Sequence, residues 1–303
     1  MGTVTPETLA WCAEELGPVR VVADCSKQHP GHGSSMLRLR TGKAFCFLKE
    51  HDTCEHWGNE IHAYENWVGA LGDLAPGLLA VRDVEPLALV IGELPGKPAA
   101  EVDLSLPRKR AVWHAAGAAL AALHDLEIGV RFGPCLRGHP CSTEELGNAE
   151  EYLQKQLMNR ITEALTLGCL SSVELAFAKA VRDLTAVFAD VPPVPCHRDY
   201  CSANWLVSAE GILTGVIDFE FSHWDVRVND LARDPDWIWL QSPDLFSAFM
   251  EGYGRSLTPT EECQLAVSRA LYALDAIVWG CKHSFRGFER EGRRALKVLA
   301  RML

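Results

Sequence analysis

The stretch CHRDYCSANWLVSAEGILTGVIDFE, Cys196 to Glu220, carries more chemistry for its length than any other part of the chain. His197, Arg198 and Asp199 are followed, after four intervening residues, by Asn204, and two short apolar runs then flank Ala209-Glu210-Gly211. Apolar runs on either side of a Glu-Gly turn read as a β-hairpin. A hairpin symmetric about Gly211 sets Asn204, at the start of its first strand, opposite Asp218, at the end of its second, with Asp199 on the loop just before. An amide oxygen and a carboxylate are hard donors suited to magnesium, which leaves its other positions to water and phosphate oxygens. A third carboxylate, not needed by the metal, can accept a proton from an attacking hydroxyl. Any one of these residues alone reads as a solvated polar turn; their joint spacing points to phosphoryl transfer.

Outward from this stretch the chain changes character. Residues 5 to 16 have helical periodicity (Leu9, Trp11, Cys12, Leu16) and are stopped by Gly17-Pro18. Three extended segments follow, VRVVADC, SMLRLR and KAFCFLKE, with GHGSS between the first two and Thr41-Gly42 between the last two. WGNEIHAYENWVGAL reads as a helix through Ile61, Tyr64, Trp67, Val68 and Leu71, and GLLAVRDV and PLALVIGEL as further strands ending at Pro95-Gly96. Beyond it the pattern is helical in RAVWHAAGAALAALHDL, around 150 to 189 and around 262 to 281, with one clear β signal between Asn204 and Phe219. The expectation is an α+β chain, with a small antiparallel-sheet part in residues 1–94 and a larger, mainly helical part in 95–303.

HRDYCSAN followed by VIDFE resembles the catalytic and metal-binding pair of the aminoglycoside phosphotransferase and choline kinase family, small-molecule kinases distantly related to the protein kinases. The resemblance implies a two-lobed protein-kinase-like fold, ATP (or GTP) and Mg2+ as cofactors, and a small-molecule hydroxyl substrate. It implies Asp199 as catalytic base, Asn204 and Asp218 as magnesium ligands, and His197 and Arg198 as braces of the loop. It assigns Lys49 to the nucleotide phosphates, with Glu60 as its ion-pair partner in preference to Glu65. It also places Gly33, Ser34 and Ser35 over the phosphates, and Ile91, Glu93 and Leu94 in an adenine-binding hinge. Asp230, in HWDVRVNDLARD, takes the role of anchoring the catalytic loop, and His124 reads as structural. Glu220 departs from protein kinases, which have glycine there, and points away from a protein substrate. Without the resemblance, Lys49 is a strand-end lysine, GHGSS an ordinary turn and LVIGELPG a buried strand before Pro-Gly.

Composition limits the other classes. The formal charge of −11 argues against a nucleic-acid partner and suits a cationic substrate. No apolar run is long enough to span a membrane, the N-terminus does not read as a signal peptide, and eleven scattered cysteines without a CxxC pair fit a reducing cytoplasm. Asp225, Asp234, Asp236 and Glu251 would suit the amines of an aminoglycoside antibiotic, and Trp237, Trp239 and Trp279 would suit a quaternary ammonium such as choline. Surface charge and core packing explain the same residues. Two other chemistries stay open: a metal hydrolase using His197, Asp199, Asp218 and His223, and a kinase-like protein that binds nucleotide without catalysis. A serine hydrolase does not, because no G-x-S-x-G elbow is present.

Overall fold

The computed structural model describes residues 4–26, 34–42, 44–135, 137, 147–234 and 237–303. The chain begins with α1 (Pro6–Leu16), β1 (Val19–Asp24), β2 (Ser34–Thr41), β3 (Ala44–His51), α2 (Cys54–His62), β4 (Leu78–Arg82), β5 (Ala88–Gly92), β6 (Lys97–Pro98), α3 (Leu106–His124) and β7 (Gly133–Pro134). It continues with α4 (Ala149–Leu167), α5 (Ser172–Asp183), β8 (Val194–Cys196), β9 (Trp205–Val207), β10 (Leu213–Val216), β11 (His223–Asp225), α6 (Val228–Ala232), α7 (Ile238–Gln241), α8 (Pro243–Tyr253), α9 (Pro259–Lys282) and α10 (Arg286–Leu299). These pack as two units. The first takes Met1–Val112, Pro134–Ser142 and Ser202–Ser222; the second takes Trp113–Gly133, Thr143–Cys201 and His223–Leu303.

In the first unit, β1 to β5 form an antiparallel sheet in the order β1-β2-β3-β5-β4. Side chains alternate across a strand, so β3 sends Cys46 and Leu48 to one face and Lys49 and His51 to the other. The first face packs with Leu39, Ala88 and Val90 against Cys12, Leu9 and Trp11 of α1. Glu50, on that same face, accepts hydrogen bonds from the backbone N–H and hydroxyl of Thr5 and from the Thr8 hydroxyl, which ties the start of α1 to β3.

Helix α2 starts where Thr53 caps the His56 N–H. The single helix expected over 57–71 is instead three windings: α2, a wider π turn over Ala63–Trp67, and a tighter 3₁₀ segment over Val68–Leu74. Trp57, Ile61 and Trp67 are fully buried along it. The hairpin β9–β10 belongs to the first unit, with β6 paired on its other side.

The second unit is mainly helical, with α9 at its centre and thirteen of that helix's residues buried. Thr258 and Glu261 close a capping box at its start, and Pro259 occupies the first turn, where its missing N–H costs nothing. Helices α3 and α8 cross closely at two glycines: a Cβ on Gly117 would meet the Phe249 carbonyl, and one on Gly252 the His114 carbonyl. Short strands β7, β11 and β8 make a small sheet, and β8 runs directly into His197–Asp199. Helix α10 and these short strands were not visible in the sequence pattern. Among the described residues Cys54 is disulfide-bonded, an exception to the thiol-only reading of the cysteines.

Candidate active site

Strand alternation brings Lys49 and His51 to one face of β3, and α2 presents Glu60 to them. The Lys49 ammonium is buried and lies 2.9 Å from Glu60, 2.7 Å from Asp218 and 2.9 Å from Glu220. Burial works against its charge, but Asp218, Glu60 and Glu220 together hold it well above the ordinary lysine range. Burial likewise raises Glu60, but Lys49 and His51 outweigh it and leave that carboxyl below the usual carboxylate range. His51 Nε2 is 3.0 Å from the same Glu60 oxygen that meets Lys49. Glu65 pairs with Arg137 at 2.8 Å instead.

Two members of this cluster were not assigned from the sequence. Glu220 was noted only for replacing a glycine, and its carboxylate joins Lys49 through the turn after Asp218. His51 carried a signal that was not used: it stands two residues beyond Lys49 and so shares its face. His51, Glu60 and Glu220 are close enough to hold a metal. The Lys49 ammonium already lies against both Glu60 and Glu220, so this cluster reads as a lysine clamp.

The hairpin register differs from the symmetric one by one residue. Trp205 pairs with Val216 and the Ile217 N–H donates to the Asn204 carbonyl, because an irregularity between Leu213 and Gly215 shifts the pairing. Asn204 therefore faces Ile217. Asp218 follows immediately, in a left-handed backbone conformation (φ 70°) that turns the chain into Phe219–Phe221. Asn204 is buried and Asp218 keeps a side-chain exposure of 17%. Asn59 locks this turn: its amide donates to the Glu220 carbonyl and its oxygen accepts from the Cys135 N–H.

The register of β2 on β3 pairs Ser34 with His51 and Ser35 with Glu50, which sets the second half of GHGSS beside the Lys49 end of β3. Ser34 shares the face of Lys49, and Ser35 the opposite one. Gly33 lies outside the described residues. In the hinge segment Ile91 is buried, and the Glu93 N–H donates to the Phe45 carbonyl while its carboxylate is gripped by Arg38 Nε and Nη2. Leu94 packs over Gly215 of β10, where a Cβ would collide with its Cδ1.

In the second unit, Asp230 of α6 accepts the backbone N–H groups of His197 (2.7 Å) and Arg198 (2.5 Å). Burial alone would raise Asp230, but His124 at 3.1 Å, His197 and the Arg198 amide hold it below its usual range. His197 is fully buried, and its Nδ1 accepts from the Asp199 N–H. Arg198 sits at φ 65°, an uncommon conformation for a residue with a Cβ. Its guanidinium is held by Asp225 at 3.1 Å, by His223 Nδ1, and by Tyr152 and Gln156 of α4. Tyr200 donates to the Ala116 carbonyl of α3 at 2.7 Å. The loop carrying Asp199 is thus fixed by α3, α4, α6 and β11. His124 has its other nitrogen 2.8 Å from Tyr253, so it is a packed structural group.

These contacts correct two expectations. Asp225 is fully buried and paired with Arg198, and its other oxygen accepts from Asn229 and Val226, so it is not offered to a substrate amine. The three tryptophans do not form one cage. Trp237 is buried beside Tyr272, Trp279 meets Phe285 and Phe288 edge to face, and Trp239 lies against the protein's own Arg269. Asp236 lies outside the described residues. His223 is engaged by Arg198, which counts against the metal-hydrolase alternative.

The antiparallel sheet with its lysine clamp, the braced H-R-D loop and the mainly helical remainder define a protein-kinase-like α+β fold. The model of the family described as "Phosphotransferase enzyme family" (APH) matches residues 48–263, and the chain belongs to that family, as a small-molecule kinase. Among solved structures, a thermostable mutant of aminoglycoside phosphotransferase APH(4)-Ia is similar at TM-score 0.74 and 13% identity, over 98% of this chain and 99% of that one. The gentamicin complex of APH(2")-IIa is similar at TM-score 0.65 and 16% identity, over 98% and 97%. A putative fructosamine-3-kinase from Thermobifida fusca is similar at 0.67 and 17%, over 95% and 97%. No curated protein sequence matches significantly.

Proposed function

We propose that this kinase transfers the γ-phosphoryl group of ATP to a hydroxyl of a small molecule, with Asp199 as the proton acceptor. The acceptor oxygen forms the new P–O bond, the bond to the γ-phosphorus from ADP breaks, and the hydroxyl proton passes to Asp199. His197 and Arg198 position that carboxylate through the contacts to Asp230 and Asp225. Lys49 binds the α- and β-phosphates, oriented by Glu60. Ser34, with Gly33, covers the phosphates, and Ser35 contributes backbone only, since its side chain is buried on the opposite face of the sheet. Ile91 and Leu94 pack on adenine, and the Glu93 carbonyl and Leu94 N–H bond to it, since the Glu93 N–H is already used. In this reading residues 1–94 serve the nucleotide and 95–303 serve catalysis and the acceptor, and the protein works in the cytoplasm; no helix of the described residues is long and apolar enough to cross a membrane.

The observation that carries this reading is the clamp itself: three carboxylates converge on one ammonium. Their excess negative charge fits a divalent cation, and Asp218 and Asn204, whose backbone faces Ile217 just before Asp218, are the residues that would hold Mg2+. When bound, magnesium neutralises charge on the phosphoryl oxygens. Neighbouring structures contain hygromycin B and gentamicin, and on likeness of fold aminoglycoside-type antibiotics are the first acceptor class to assay, which would make this a resistance kinase. The test is ATP consumption over a panel of aminoglycosides, choline, sugars, amino alcohols, hydroxy acids and sugar phosphates. Acceptor-dependent ADP formation with a phosphorylated product is expected. Silence across the panel, together with no binding of magnesium-ATP, overturns the reading.

A further inference from the structure

His51 is a buried polar side chain that the phosphoryl-transfer reading leaves without a task. It stands two residues after Lys49 on the same face of β3, and its side chain is wholly shielded from solvent. Its Nε2 lies 3.0 Å from Glu60 Oε2, the oxygen that also meets the Lys49 ammonium at 2.9 Å. Its Nδ1 lies 3.9 Å from Glu220, beyond hydrogen-bonding range. A ring nitrogen this close to a carboxylate is the protonated one, so the N–H is on Nε2.

The ring is held by its strand. The His51 N–H donates to the Leu87 carbonyl at 2.9 Å, and on the other side His51 pairs with Ser34 of β2. The helix that carries Glu60 is fixed separately. Trp57, one turn earlier, donates its Nε1 to the Ala88 carbonyl at 3.3 Å, and Asn59 grips the backbone of Glu220 and Cys135. These contacts place α2, but none of them reaches the Glu60 carboxylate; that group is met by Lys49 and His51, both from β3. Burial raises the Glu60 carboxyl, and Lys49 first and His51 second outweigh it and keep it charged.

The two contacts to Glu60 differ in what the reaction asks of them. Lys49 is one ammonium shared among Glu60, Asp218 and Glu220, and in the kinase reading it turns to the α- and β-phosphates when Asp218 takes magnesium. His51, on a strand paired on both sides, keeps its contact. We infer that His51 is a positioning residue: its Nε2 fixes the Glu60 carboxylate, so that Glu60 keeps Lys49 aimed at the nucleotide phosphates while the lysine exchanges partners. This rests on the kinase reading above and adds a third member to the Lys49–Glu60 pair.

The test is calorimetric binding of magnesium-AMP-PNP to the full chain, which needs no acceptor. The wild type is compared with His51→Leu, His51→Gln, His51→Asn, Glu60→Gln and the double variant of His51→Leu with Glu60→Gln. A glutamine amide nitrogen reaches as far along the side chain as Nε2, and an asparagine amide nitrogen only as far as Nδ1, so glutamine can keep the Glu60 contact and asparagine cannot. Affinity is expected to fall about tenfold in His51→Leu and His51→Asn and to stay near the wild type in His51→Gln. In the Glu60→Gln background, His51→Leu is expected to cost nothing further, because residues that act on one another are not additive. A purely structural role would weaken binding equally with and without the Glu60 carboxylate. Equal affinities in the wild type and His51→Leu, losses that multiply in the double variant, or His51→Gln binding no better than His51→Asn each overturn the inference and leave the kinase reading standing. If His51→Leu does not fold, the contrast between His51→Gln and His51→Asn decides. A wild type that binds no magnesium-AMP-PNP overturns the kinase reading and the inference with it.

Discussion

Lys49 is held by more negative charge than it needs. Removing the ammonium would leave Glu60, Asp218 and Glu220 facing one another in a buried space, and breaking a buried ion pair from one side costs about 3–5 kcal/mol. Lys49→Met is therefore expected to destabilise the nucleotide-free protein by roughly that amount, read by chemical denaturation. Glu220→Gln added to it should recover part of the loss. If the double variant is less stable than Lys49→Met, Glu220 is not repelled in the way the geometry requires. At this scale the sequence was partly legible: Glu60 follows from its helix position and the family resemblance, and His51 from strand parity. Glu220 and Asp225 were not, because what defines each is a tertiary partner that no local pattern encodes.

Helices and strands were read from periodicity and stop signals, and these worked where an element is long. Helix α9 runs over Pro259–Lys282 against an expected 262–281, and β3 over Ala44–His51 against 43–50. Two- and three-residue strands lack a period to detect, so β7, β8 and β11 were missed. The hairpin register failed by one residue because an irregularity near Thr214 has no sequence signature. The start of α9 makes a prediction at this scale. Arg255 is the main cause, and the Thr258 amide and hydroxyl further causes, of Glu261 being lowered to about 2, with burial opposing. A carboxyl depressed in the folded state adds stability above its unfolded pKa and loses it as pH falls through the folded one. Glu261→Gln should therefore cost stability at pH 7, and the gap to the wild type should close as pH falls from about 4.5 towards about 2. Thr258→Ala, measured by denaturation at pH 7, should cost about 1 kcal/mol through the lost cap. A pH-independent gap for Glu261→Gln would contradict the assigned partners.

Over the whole molecule, identities of 13% to 17% accompany matched folds across nearly the full chain. In this chain the same fold places a lysine clamped on one sheet face, a loop whose amides are fixed by a buried aspartate, and a hairpin flanked by Asn204 and Asp218. The central claim is that Asp199 accepts the proton from the acceptor hydroxyl and has no part in holding the nucleotide. The direct measurement is turnover and magnesium-ATP affinity of Asp199→Ala beside the wild type, using the acceptor found in the panel. The expected result is a turnover loss of several orders of magnitude, about 10²–10⁴-fold for the proton transfer alone, with ATP affinity nearly unchanged. Substantial remaining turnover, or a loss of activity explained by lost ATP binding, would contradict the account.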